Sequence, residues 1–195
     1  MATSLLSHLT RAPETRGQGS FVLVAGLLAA ASASASLIFA CATPFAAFGA
    51  LAAIVLPLRH AIAAVLVGFV VNQAIGFGLL GYPHASETYA WGAVIGAAAV
   101  VATVVSALTY RHAARLGAVA IYPIVLIASY VGYEAALFAA IPALGGGDGF
   151  AAGVVGHLAF VNAVWLIGLI ATFEILHRAT SRAVSGHAAS SAHGN

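Results

Sequence analysis

The sequence predicts an all-α, polytopic membrane bundle of about six transmembrane helices, and three observations carry that expectation. Hydrophobic residues make up 62% of the chain and charged residues 6%, with a mean hydropathy of +1.04. A soluble domain has about a quarter of its residues charged. The apolar residues also fall in long runs that are apolar all round, whereas an outer-membrane strand alternates polar and apolar positions. Finally, the arginines fall between alternate runs, as the excess of positive charge in cytoplasmic loops requires.

Taken in order, a polar lead over residues 1–20 precedes the first apolar run, 21 to about 42. The second run, about 44–58, is short against the roughly 20 residues that a crossing needs. It is expected to cross thinly, tilt little or partly re-enter, and Arg59 and His60 close it. The third run, about 61–82, stops at Pro83, and the fourth, about 89–110, stops at Arg111 and His112. The fifth, about 116–144, is long enough to tilt, and Pro123 should kink it near its start. A glycine-rich turn at 145–149 leads to the sixth, about 152–176. The transmembrane domain is therefore expected over 21–176. The tail, 177–195, is rich in Ser, Ala, Gly and His and is expected to be a disordered cytoplasmic segment.

Six helices place Arg11, Arg16, Arg59, Arg111, Arg115, Arg178 and Arg182 on one side, and Glu87 and Asp148 on the other. Both termini are then cytoplasmic, in a bacterial-type inner (plasma) membrane. The first run also has features of a cleaved signal, with small residues from Ser32 to Ala35, and cleavage would leave five spans. The mostly apolar stretch that continues to Pro44 favours a span. Seven arginines and no lysine are too few to track phosphates, so no nucleic-acid partner is expected. A lone cysteine, Cys41, excludes an intrachain disulfide or a CxxC metal site.

Ionisable and amide groups inside the spans are costly and mark functional candidates. Glu134 shares a face of the fifth helix with Tyr130, four residues earlier, and Tyr133 lies beside them. Proton carriage, cation binding, solute binding or a helix tie would each use such a stripe. Asn72 and Gln73 lie on the third helix before Gly76 and Gly78, and His157 and Asn162 on the sixth. Tyr89 and Trp91 read as interface anchors. Cys41 ends the first helix. Cys41, Asn72, Gln73, Tyr130, Glu134, His157 and Asn162 all fall in the outer half of the bundle, which predicts an outward-facing polar cavity. The inner half offers Glu174, placed to pair with Arg178. Ala25, Ala29 and Ala33 form a small-residue ladder suited to close packing, within the bundle or against a partner.

Six helices, cytoplasmic termini, this alanine ladder and an outward cavity resemble the substrate-binding subunits of energy-coupling-factor vitamin and metal transporters. The resemblance implies that the ladder docks on a membrane coupling subunit. In a solitary cobalamin-binding branch of that family a pocket cysteine ligates cobalt, a role that Cys41 would take. The sequence itself specifies no cofactor or metal. It lacks a rhomboid-type GxSG serine, a permease-type histidine cluster and paired intramembrane histidines for haem, so an enzyme is not expected. Two functions stand side by side. One is uptake or membrane-embedded binding of a small-molecule solute, with a coupling subunit or a homo-oligomer as partner in the lipid bilayer. The other is an assembly or scaffold protein whose intramembrane polar residues serve helix packing.

Overall fold

The computed structural model describes residues 18–39 and 43–192. Helices α1 (Gln18–Phe39), α2 (Phe45–Val55), α3 (Leu58–Gly78), α4 (Ser86–Ala113) and α5 (Ala118–Phe138) follow one another. The single-turn α6 (Ile141–Leu144) and the long α7 (Ala152–Ala192) complete the chain, with 3-10 turns at Ala114–Leu116 and Gly147–Phe150. All of α1, α3, α4, α5 and α7 contain stretches long and apolar enough to cross a membrane.

The second apolar run departs from a full span. Its helix has 11 residues and rises about 16 Å, half of a hydrocarbon core about 30 Å thick. Two prolines delimit it. Pro44 takes the N-cap position, where a missing N–H costs nothing, and Pro57 holds Leu56 in extended backbone at φ −120°, ψ 153°. Helices α1 and α3 run parallel: Phe21 meets His60 at a ring separation of 5.5 Å, Ser32 Oγ donates to Gly68 O at 2.7 Å, and Asn72 Nδ2 donates to Ser36 Oγ at 2.9 Å. The chain must therefore return between them, and α2 is the helical part of that return. Phe45 packs on Phe69, halfway along α3, at 6.1 Å. Hence α2 starts at mid-depth and descends to the end that carries Arg59. Every residue of α2 is buried among α3, α4, α5 and α7.

The remaining packing is antiparallel between neighbours. Gln73 lies against Gly92 and Phe69 against Gly96, which sets α4 against α3, and Gly132 approaches Val105, which sets α5 on α4. Arg59, Arg111, Arg115 and Arg178 all gather at one end, termed here the arginine end, and Glu87 starts α4 at the opposite end. At both ends of α4 the charges complement its dipole.

Small residues make the interior close-packed. An added Cβ at Gly49 of α2 would lie 3.1 Å from Thr103 N and 3.2 Å from Thr103 Cα of α4, so glycine is what brings these two backbones together. Large apolar side chains instead point outward, among them Val70 at 61% exposed, Ile127 at 63%, Phe160 at 67% and Ile167 at 70%. Such continuous apolar exposure around a bundle is stable against lipid and not against water.

Two expectations need correction besides the length of α2. The fifth helix ends at Phe138 and not at 144, because Pro142 has no N–H to continue the ladder and its ring clashes with the carbonyl one turn back. The tail, expected to be disordered, continues α7 as helix to Ala192, its many alanines having the highest helix propensity. The alanine ladder of α1 turns toward the bundle: Ala25 belongs to the core and Ala29 and Ala33 are half-buried. Gly26, Ala30 and Ser34 are the small residues that face out.

Candidate functional site

Above the buried start of α2, toward the end away from the arginines, helices α3, α4 and α5 enclose a cavity of about 130 Å³. Its floor is a hydrogen-bonded amide pair. Asn72, 7% exposed, uses both amide hydrogens, donating to Ser36 Oγ at 2.9 Å and to Thr43 Oγ1 at 2.8 Å. Its Oδ1 accepts from Gln73 Nε2 at 3.0 Å. Gln73 therefore keeps one N–H and its Oε1 for an occupant. That oxygen lies over Gly92, where a Cβ would stand 2.9 Å from it and push the amide aside.

The walls are aromatic. Phe45 and Tyr133 close the inner side, with ring centroids 6.5 Å apart, and Phe77 and Trp91 flank the upper part. Tyr82, on the link between α3 and α4, forms the roof by lying flat on Gly76. Its backbone N–H donates to Gly76 O at 3.0 Å, and a Cβ at position 76 would come within 2.5 Å of its ring. Phe77 also stacks on Tyr89 at 5.0 Å, and His84 Nδ1 lies 2.6 Å from Tyr89 Oη, so the roof is held by a cluster of rings.

Thr88, Trp91 and Tyr133 add polar groups for which no hydrogen bond within the described residues is found. No charged side chain lines the cavity among the described residues. An ion here would lose its hydration without a counter-charge, at a cost of several kcal/mol or roughly more. A neutral molecule would instead meet an indole N–H, two hydroxyls and an amide between aromatic faces. The volume matches a molecule about as large as benzene, which a comparable cavity of roughly 150 Å³ holds. A corrin is many times larger.

Of the residues expected to line one outward cavity, Asn72 and Gln73 do so. Cys41 lies outside the described residues. Tyr130 and Glu134 face away: Tyr130 Oη donates to Val155 O at 2.6 Å, and Glu134, in reach of the Tyr130 hydroxyl, lines a separate lateral groove of about 350 Å³ with Val131, Phe138 and Phe150. Helical geometry separates them, because one residue is about 100° of rotation and Tyr133 takes the inward position next to Glu134. One oxygen of Glu134, Oε1, is shielded and has no partner among the described residues.

Asn162 serves the fold. It is 6% exposed, its Oδ1 accepts from the backbone N–H of Ala47 at 3.0 Å, and its Nδ2 donates to Leu158 O at 2.9 Å. It thus caps the half-helix α2 from across the bundle, a task that α2 cannot meet with its own N-cap proline. Ser129 of α5 adds a second tie by donating to Ala46 O at 2.8 Å. His157 is exposed, being five residues and about 140° round α7 from Asn162.

Sequence reasoning passed over Thr43, Thr88 and Tyr82, set Tyr133 beside the Glu134 stripe rather than in the cavity, and read Trp91 as an interface anchor. One signal was present: Thr88, Trp91, Gly92 and Ile95 follow the i, i+3, i+4, i+7 pattern of a single helix face. Among the described residues no three His, Cys, Asp or Glu side chains gather into a metal site. No family model, curated protein or solved structure matches the chain. Its long apolar helices and apolar outer surface make it an all-α, multi-pass integral membrane protein.

Proposed function

We propose that this protein binds a small uncharged solute in the cavity above α2 and serves its uptake, as a transport protein or as the membrane-embedded binding subunit of one. The observation that carries the reading is a cavity between mid-depth and the end away from the arginines whose polar groups left without a partner among the described residues, on Gln73, Thr88, Trp91 and Tyr133, are all neutral and set between aromatic rings. The broken helix supports it. Non-helical backbone at this depth is tolerated where it is buried in protein or lines a cavity, and Thr43 and Phe45 line this one. By the arginine distribution the cavity opens on the non-cytoplasmic side of a bacterial-type inner membrane, the side from which uptake starts. Its volume favours a solute of a few heavy atoms over a vitamin macrocycle. A coupling subunit or a second copy is the partner that such a subunit would need to move its solute inward.

A specific observation favours the second reading, that of an assembly protein. Ser32, Ser36, Asn72, Ser129 and Asn162 all spend hydrogen bonds on other segments of the bundle. Thr88→Val, Trp91→Phe and Tyr133→Phe separate the two readings, because each removes a polar group that makes no hydrogen bond among the described residues. The measurement is a native mass spectrum of protein purified in mild detergent from cells grown in rich medium. For a binding protein a small co-purifying mass appears in the wild type and weakens in all three variants, with folding intact. For an assembly protein no small mass appears and the variants are indistinguishable from the wild type.

A further inference from the structure

Helices α5 and α7 leave between them, toward the arginine end, an apolar groove of about 650 Å³. Leu126 of α5 and Leu166 and Ile170 of α7 form its walls, and it ends in two charged residues, Glu174 and Arg178. The pair is incomplete. Glu174 is 7% exposed, yet its Oε2 stands 3.6 Å from Arg178 Nε, too far for a good hydrogen bond, and its Oε1 has no partner among the described residues. The Arg178 side chain is 49% exposed, and the rest of its guanidinium meets no acceptor among the described residues.

A carboxyl group this buried, with its one ion-pair contact at 3.6 Å, is short of donors, and leaving it so costs free energy. The guanidinium beside it lacks an anion. An occupant that cancels both needs a negative and a positive group close together, the positive one bearing N–H, on top of a hydrocarbon body that fills the groove within the leaflet. We propose that the groove between α5 and α7 is a site for a phospholipid with a primary-amine headgroup, its phosphate on Arg178 and its ammonium on Glu174. A choline headgroup has the same charges but no N–H to give. A glycerol headgroup has donors but no positive charge. The site is separate from the solute cavity and does not rest on that reading.

The test uses the full chain in bilayer nanodiscs made of equal parts phosphatidylethanolamine, phosphatidylcholine and phosphatidylglycerol, ejected into a mass spectrometer with stepwise removal of lipid. The last lipid retained should be phosphatidylethanolamine, about tenfold over phosphatidylcholine, the worth of one charge-assisted hydrogen bond. Glu174→Gln should erase that preference. Ala171→Leu, a substitution on the exposed wall of the groove that leaves both charges in place, should remove retained lipid of every class. Equal retention of the ethanolamine and choline lipids by the wild type overturns the proposal, as does a preference that survives Glu174→Gln. A change of oligomeric state in Ala171→Leu also overturns it, by assigning the groove to a second copy.

Discussion

Replacing Asn162 by leucine isolates what holds a half-helix in the middle of a membrane. The side chains are similar in size, so packing is nearly conserved, but the acceptor for Ala47 N–H, now at 3.0 Å, disappears. A helix start has N–H groups with no partner inside the helix, and here no lipid or protein backbone stands ready to replace Asn162. An orphaned buried donor costs roughly 1–3 kcal/mol, while leucine recovers about 0.5 kcal/mol through its better helix propensity in α7. A net loss of about 1.5 kcal/mol is expected. Reversible unfolding in mixed anionic and mild detergent micelles measures it, followed by far-ultraviolet circular dichroism and by Trp165, three residues away. Ser129→Ala is the control. It removes a 2.8 Å bond to Ala46 O, but that carbonyl sits in the first turn of α2 and keeps its own intrahelical acceptor role, so the loss should stay below about 1 kcal/mol. A value for Asn162→Leu within about 0.5 kcal/mol of wild type, or below that for Ser129→Ala, would refute the capping argument.

Other perturbations read other parts of the structure. Gly49→Val forces a branched side chain against Thr103, where even a Cβ meets backbone at 3.1 Å; overpacking should cost about 1–3 kcal/mol in the same unfolding assay, and a neutral result would deny the close approach. Gly76→Ala displaces only the Tyr82 ring from 2.5 Å, so stability should change little while the roof opens. Quenching of Trp91 by acrylamide, a small neutral amide, should then increase in a Trp165→Phe background, and unchanged quenching would mean that Tyr82 is not the roof. Glu134→Gln keeps the shape of a residue that faces away from the cavity, so solute affinity should stay within about twofold; a loss beyond about tenfold would bring Glu134 into the site.

Much of the architecture was readable along the chain because a bilayer reads composition. Long apolar runs, arginines on alternate links and proline or charge at the run ends led to the long helices, and Glu174 and Arg178 were rightly paired from spacing alone. The polar residues were harder. Depth can be counted along a helix, and Asn72 and Gln73 do line a cavity toward the end away from the arginines. Rotation cannot be counted in helices so uniformly apolar, because no hydrophobic stripe says which side faces in. Hence Tyr133 and Trp91, rather than Glu134 and His157, line the cavity.

The sequence by itself determined that this chain lives in a membrane, as a bundle of helices with Arg59, Arg111, Arg115 and Arg178 at one end. Solvation by lipid enforces this, since peptide groups in the hydrocarbon must find their partners within the protein, and a helix supplies most of them. Only the tertiary structure decided that the second run is a half-helix, that Asn162 of a distant helix caps it, and that the space above it is neutral and aromatic. Those features arise from side chains far apart in sequence competing for the same few partners in three dimensions, which no linear pattern records.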